Sequence, residues 1–554
     1  MNDANRERVS GDAFEVDEAA FRLIRSRGAI DLALGETAHR LSRRDNLLQL
    51  GYAKQVDYMR ERMGVPPRTA FLWLRLARGL EERPLLRRAV AAGAVTARKG
   101  LMVLPVARGE EETFWTAAAM NATEAKLEQA VRATGREPAE DAFETETIWL
   151  KMTKEEQDLL DRAIEAAQET LGLGAPRWQC VEAICQDWLG SYATWVPGGP
   201  RVPAPPEPQS GDAWREEVRQ QAAALERQLQ AIEKTAFVIE GIDGEAGDDD
   251  PRALDARVMR LLAARRGFDG SFGPLALRIV EERVWAAVGY RSLKQYCRER
   301  LGMSARSLRQ RVWLERKMRA LPELRDALNS GRLTYSKALL VAKGATPHNV
   351  EERIEEAAST TWQQTERETT AEEERKNREA GIRRLWGPKD AAQTVADAIL
   401  AAQTVWLAAM GASVGPGEAL ALIALHFLKV CHCHRPPHKM RPARREVLMR
   451  HGGFCAVPCC SRPAKHVHHI TFRSRGGTKD VTNEVALCAA HHLHGVHRGY
   501  LAVTGLPGER LIWRLGIAGG AEPLEEWVTE GDDDVRRADV PPATVSRAEA
   551  CAEV

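Results

Sequence analysis

Two residue pairs near the C-terminus have the spacing of metal ligands. Between Phe454 and Tyr500 the chain reads FCAVPCCSRPAKHVHHITFRSRGGTKDVTNEVALCAAHHLHGVHRGY. Cys455 pairs with Cys460 or Cys459, and Cys488 pairs with His491 as CxxH. Zinc takes four thiolate or imidazole ligands at tetrahedral angles, and two such pairs on separate turns supply that cage for a segment too short to fold on its own core. Between and beside the pairs stand His468, His469, Asn483 and His492. Imidazole titrates near about 6.5 and can take a proton from water at neutral pH, while a neighbouring imidazole holds a cation. Hydrolysis of a phosphodiester needs both, in a rigid frame.

The frame is read as a strand at HVHHI, a polar loop at RSRGG, a second strand, and a helix beginning near Ala489. Paired histidines at a strand end, a Gly-Gly loop, Asn483 nine residues before His492, and flanking cysteines occur here in one order. That order resembles the HNH, or ββα-metal, nuclease family. The resemblance implies an endonuclease acting on DNA, with His469 as general base and His468 and His492 as ligands of one catalytic divalent ion. It implies a structural zinc on Cys455, Cys460, Cys488 and His491. In that family Asn483 either braces the loop or joins the metal shell. Many relatives carry Asp where this chain has His468, which favours a softer metal than Mg²⁺. Arg473, Arg475 and Arg498 flank the site, as phosphate holders or as solvated surface. His466, His494 and His497 add to the metal shell or to the positive field. A reading of another class is a zinc-containing DNA-binding protein without the reaction; such a binder has no need of an imidazole base beside a metal ligand.

Composition supports a metal reading over a disulfide one. Eleven of the fourteen histidines lie between His432 and His497, and five of the ten cysteines lie between Cys431 and Cys460. Clustering of this kind points to metal. Cys431, Cys433, His434 and His438, in CHCHRPPH, lack a second pair at suitable spacing and read as linker, while Cys180, Cys185 and Cys297 lie on apolar helical patterns. Net charge is only +1, yet residues 435 to 500 hold twelve Lys and Arg against three acids, a patch suited to phosphate. Beyond Gly520 the sign reverses, with ten acids against three bases. The opening residues MNDANRERVSGDAFEVDEAA lack the apolar stretch of a signal peptide, and ALALIALHFLKV at 419–430 is too short to span a bilayer. A cytoplasmic chain without a membrane segment is expected.

What positions the site is a repeated helical region. Residues 51–107 align without a gap on 289–345, with 20 of 57 positions identical, which marks an internal duplication. The shared frame is GY, then YxRERxG at Tyr58–Gly64 and Tyr296–Gly302, then Thr96 and Lys99 with Thr334 and Lys337. In each copy two amphipathic helices flank a tight turn, with Ser304 placed to cap the second helix of the later copy. This resembles a helix-turn-helix and implies that Arg306, Arg309 and Arg311 face the major groove, with Arg68 and Trp73 in the earlier copy. The alternative is an ordinary bundle whose arginines face solvent. ETETIWLKM alternates like a strand and, with two helices after it, faintly resembles a ribbon-helix-helix; GIRRLWGPKD in the other copy is a poor strand, and core packing is the favoured role.

The expected fold is therefore mainly α. Tandem helical repeat units occupy 17–195 and 254–434, each with a helix-turn-helix-like segment, separated by a linker with a helix at 196–253. A small zinc-stabilised ββα-metal domain at 435–516, closed by a hairpin within 501–515, precedes an acidic, disordered tail at 517–554.

Overall fold

A computed structural model describes residues 3–136, 145–171, 175–192, 212–233, 250–434, 441–531 and 534–538. The chain is mainly helical, with small antiparallel sheets. It divides into two compact units, and these cut across the expected boundaries. One unit takes Met1–Leu47, Tyr58–Asp141 and Ala204–Ala358; the other takes Leu48–Asp57, Ala142–Pro203 and Ser359–Val554. Segments 17–195 and 254–434 are thus not separate bodies. Each contributes its helical front half to one unit and its strand and last helices to the other.

In the first unit the long helices Asp3–Leu41 and Pro251–Glu281 pack together. The helices Pro67–Leu80 and Ala305–Ala320, Pro84–Ala91 and Pro322–Asn329, and Ala97–Val103 and Tyr335–Gly344 begin at equivalent positions of the two copies. The contacts that join the copies are reciprocal. Tyr58 donates its phenol to Asp255 at 2.9 Å and Arg62 binds the same carboxylate at 2.8 Å. Tyr296 donates to Asp17 at 2.8 Å, and Arg300 binds it at 2.8 Å. Gly302 turns left-handed, and a Cβ there would lie 2.7 Å from Thr96; Gly64 is likewise closed in by Thr334. Tyr58 and Tyr296, Arg62 and Arg300, Gly64 and Gly302, and Thr96 and Thr334, all shared by the copies, are therefore points where each copy grips the other, whereas the shared Lys99 and Lys337 donate within their own copies, to the carbonyls of Ala122 and Ala357. Between the long helices, Arg265 binds Asp31 at 2.9 Å and Asp269 at 3.1 Å, so charges taken out of water are compensated.

That arrangement corrects two groove-facing expectations. Arg311 is buried, with its guanidinium 2.6 Å from Asp269, and Trp73 at the equivalent position of the other copy is buried too. Arg306 and Arg309 are exposed. Ser304 caps its helix as expected, accepting from Ser307 N at 3.0 Å.

In the second unit β1 (Thr145–Lys151) pairs antiparallel with β2 (Ile382–Pro388) along its whole length, with Ile148 opposite Leu385. The poor-looking strand is a strand because its partner supplies the register, a tertiary override of low propensity. Each strand leads to two helices, Lys154–Leu171 and Arg177–Tyr192 after β1, and Lys389–Met410 and Pro416–His434 after β2. One core joins them, including Leu150, Ile164, Ile184, Val395 and Ile423. Cys180 and Cys185 are buried here, and Cys297 is buried in the first unit. On the outer face of the ribbon Trp149 and Trp386 are exposed. Among the described residues no helix is long and apolar enough to cross a membrane.

The C-terminal part of this unit holds a helix at Pro442–Met449, the hairpin β3 (His466–His469) with β4 (Glu484–Leu487), and a short helical turn at Ala490–Val496. The hairpin expected within 501–515 is present as β5 (Leu501–Leu506) and β6 (Arg510–Leu515), and it continues into β7 (Glu525–Glu530) and β8 (Asp534–Arg537). The expected disordered tail is thus corrected over 517–531 and 534–538. EEWVTE alternates, with Glu525, Trp527 and Thr529 inward, and Tyr52 donates to the buried Glu525 carboxylate at 2.6 Å. Residues 539–554 lie outside the described residues, as does His438.

Candidate metal centres

Four of the expected ligands meet. Cys455, Cys460, Cys488 and His491 are all buried, their ligand atoms lie within 4.8 Å of one another, and together they could hold a metal ion such as zinc. Local turns set them: Arg462 N points at Cys460 Sγ and His491 N at Cys488 Sγ, each at 3.4 Å. The Nδ1 of His491 lies 3.4 Å from Cys455 Sγ, and its Nε2 lies 3.1 Å from the carbonyl oxygen of Gly51. A proton on Nε2 donated to that carbonyl leaves Nδ1 for the ligand position, the outer support typical of a metal-bound imidazole.

Electrostatics favours an ion in this knot. Contact with Cys455 pulls the Cys488 thiol far below its ordinary value and pushes Cys460 well above it. Burial opposes a charge on His491, yet the Cys455 and Cys488 sulfurs carry it up to about 10. Protons are being shared among groups that a cation would satisfy together. Cys459, the alternative ligand, turns instead toward Glu525, with Sγ 3.9 Å from Oε2.

A second group gathers His468, His492 and His497, again with ligand atoms within 4.8 Å. Alternation along β3 sends His466 and His468 to one face, toward the Ala490–Val496 turn, and His469 to the other. His468 is 2% exposed and its Nε2 has no hydrogen-bond partner. The Nε2 atoms of His492 and His497 are 3.4 Å apart. Burial first, then the neighbouring imidazoles, hold His468 and His492 each down to about 4, so both are neutral and able to donate a lone pair at pH 7. A buried nitrogen without a partner, facing two others, fits a cation. His497 was one of several histidines with no firm role; its place follows from the five-residue step after His492 on a π-helical turn, which a regular helical wheel misses.

His469 stands outside that group. Opposite it in the hairpin is Glu484, whose Oε1 lies 3.3 Å from His469 Nε2. Sequence reasoning missed Glu484, although the register of a hairpin with its loop between 469 and 484 would have placed it. Asn483 braces the loop: its Oδ1 accepts from Thr471 N at 2.8 Å, and its amide donates to the Thr471 and Thr478 carbonyls at 3.1 and 2.9 Å. Every polar atom of that side chain is engaged, which closes the choice between brace and ligand in favour of the brace. Arg473, Arg475 and Arg498 are exposed; Arg475 lies 5.6 Å over Phe472, whose ring borders His468 and His497. His494 is exposed and does not join the group.

Comparison of the chain with family models, with curated proteins and with solved structures finds no match in any of the three.

Proposed function

We propose that the chain is a metal-dependent endonuclease of the HNH type that hydrolyses DNA phosphodiester bonds, and that its helical region is a duplicated module that positions it on DNA. The observation that carries the reading is the convergence of His468, His492 and His497 beside a hairpin that presents His469 with Glu484. A divalent ion held by the three imidazoles would supply positive charge to the phosphate oxygens. His469 takes the proton of the attacking water. The Glu484 carboxylate, 3.3 Å from His469 Nε2 without a hydrogen bond to it in the resting geometry, supplies the negative charge that favours the imidazolium formed when His469 takes the proton. Asn483 keeps the intervening loop rigid, and Arg473, Arg475 and Arg498 meet the phosphate backbone. The Cys455, Cys460, Cys488 and His491 group holds a structural zinc and has no part in the chemistry. On the helical region Arg306 and Arg309 are the exposed candidates for DNA contact.

The test is cleavage of plasmid DNA by the purified full chain with a panel of divalent metals. His469→Ala should slow cleavage by about a hundred- to ten-thousand-fold with zinc content, folding and DNA affinity retained. His492→Ala should also be slow and should recover in part as metal is raised. Cleavage by His469→Ala at the wild-type rate would overturn the assignment, and DNA binding without cleavage in any metal would leave a zinc-containing binding protein.

A further inference from the structure

His466 has no part in the functions assigned so far, yet it lies in close contact with the second centre. Its Nδ1 lies 3.1 Å from the Nδ1 of His492, with ring centroids 5.0 Å apart. Two imidazole nitrogens at that distance cannot both carry a hydrogen, and unless both turn a lone pair to one shared cation, one donates and the other accepts. The remaining nitrogen of His492, Nε2, faces His497 Nε2 at 3.4 Å, and His492 and His497 form a cluster with His468. A lone pair at His492 Nε2 requires its proton to sit on Nδ1. The acceptor for that proton is then His466 Nδ1, with the His466 hydrogen on its own Nε2. His466 opens β3 and is held in register opposite Leu487, so a rigid strand aims it.

We infer that His466 is a positioning residue for the second metal centre, fixing His492 in the tautomer whose Nε2 lone pair faces His468 and His497. The inference rests on the reading of those three imidazoles as a metal site and adds to it the group that orients one of them. Outer partners of metal-bound histidines usually are carboxylates or carbonyls, and their loss costs roughly ten- to a hundred-fold in affinity. A histidine serves the same purpose here because its Nδ1 offers a lone pair when its Nε2 is protonated.

The experiment uses the full chain with zinc filling the Cys455, Cys460, Cys488 and His491 group, and Co²⁺ as the probe for the second centre. Co²⁺ uptake is followed by calorimetry and by its visible absorption, which responds to ligand geometry. His466→Ala should weaken Co²⁺ binding about ten- to a hundred-fold and alter the visible bands. His466→Asn or His466→Gln, which restore an acceptor near His492 Nδ1, should regain most of the affinity. Zinc stoichiometry and melting temperature should match the wild type in all three. Wild-type Co²⁺ affinity in His466→Ala would overturn the inference, and so would equal weakness in Ala, Asn and Gln, which would mark a space-filling role. The two levels separate in the wild type. A chain that takes up no second ion ends this inference together with the metal-centre reading; a chain that binds Co²⁺ and cuts DNA while His466→Ala binds as tightly ends this inference alone.

Discussion

Replacing Asp255 tests whether the front halves of the two copies fold as one body. Its carboxylate is buried, accepts from the fully buried Tyr58 phenol at 2.9 Å, and pairs with Arg62, whose side chain is 15% exposed. Asp255→Ala removes the acceptor of a buried phenol and the counter-charge of a guanidinium, both of the other copy. Breaking a buried ion pair costs about 3–5 kcal/mol, and an orphaned buried donor costs about 1–3 kcal/mol. Arg62 keeps some water, so a loss of about 4 kcal/mol is expected for the pair and phenol together. Asp255→Asn retains an acceptor for Tyr58 and should lose about half as much, roughly 2 kcal/mol. The assay is urea denaturation followed by circular dichroism, with a double-mutant cycle between Asp255→Ala and Arg62→Ala. A coupling of about 2 kcal/mol is expected across the 193 residues that separate the pair. Asp17→Ala should give the mirror result through Tyr296 and Arg300. A coupling near zero would refute the interleaving of the two copies in the first unit.

Three further outcomes are expected. Cys488→Ala should abolish the zinc binding proposed for the first centre and unfold the C-terminal module, since structural zinc contributes on the order of 10 kcal/mol, as much as a whole domain's stability; metal analysis and protease sensitivity read this. His468, held down to about 4 against an ordinary 6.5, refuses in the folded state a proton that the unfolded chain accepts. Its contribution to stability is therefore full above pH 6.5 and falls by about 3 kcal/mol as pH drops to about 4, at 1.36 kcal/mol per unit; denaturation curves without metal at the second centre should lose much of that slope in His468→Asn. Finally, Arg309→Ala should weaken duplex binding and reduce its salt dependence by about one ion, whereas Arg311→Ala should lower the melting temperature instead, as anisotropy and calorimetry will show.

The cluster of Cys455, Cys460, Cys488 and His491, which could hold a metal ion, was legible in the sequence because its spacing is local: CxxH fits one turn, and a cysteine pair fits another. The choice between Cys459 and Cys460 was not legible, because Glu525 and the strand that carries it decide it from 66 residues away. Charge counting hid that strand, since an acidic segment reads as solvated tail until Trp527 and Thr529 are seen to alternate with the charges. Arg311 was misplaced for a related reason. A helical pattern shows that a face exists, but not that Asp269 on another helix covers it. The identical letters of the two copies were read as a record of duplication. Their physical role as mutual contacts appears only once Asp17 and Asp255, which lie outside the aligned stretch, are in place.

The ribbon of β1 and β2 also sets a timetable. Ile148 pairs with Leu385, 237 positions later in the chain. At a synthesis rate of about 5–20 residues per second, the first strand waits roughly 12–47 s for its partner to be made. During that time TETIWLK, with Trp149, is an unpaired edge of the kind that recruits other chains. Tyr58 and Arg62 wait nearly as long for Asp255. A ribosome that pauses between the copies would lengthen the exposure, and crowded polysomes would bring nascent first copies together while the only strands on offer belong to their neighbours. Expression at lower temperature, or with a chaperone that shields early segments, should raise the yield of folded chain.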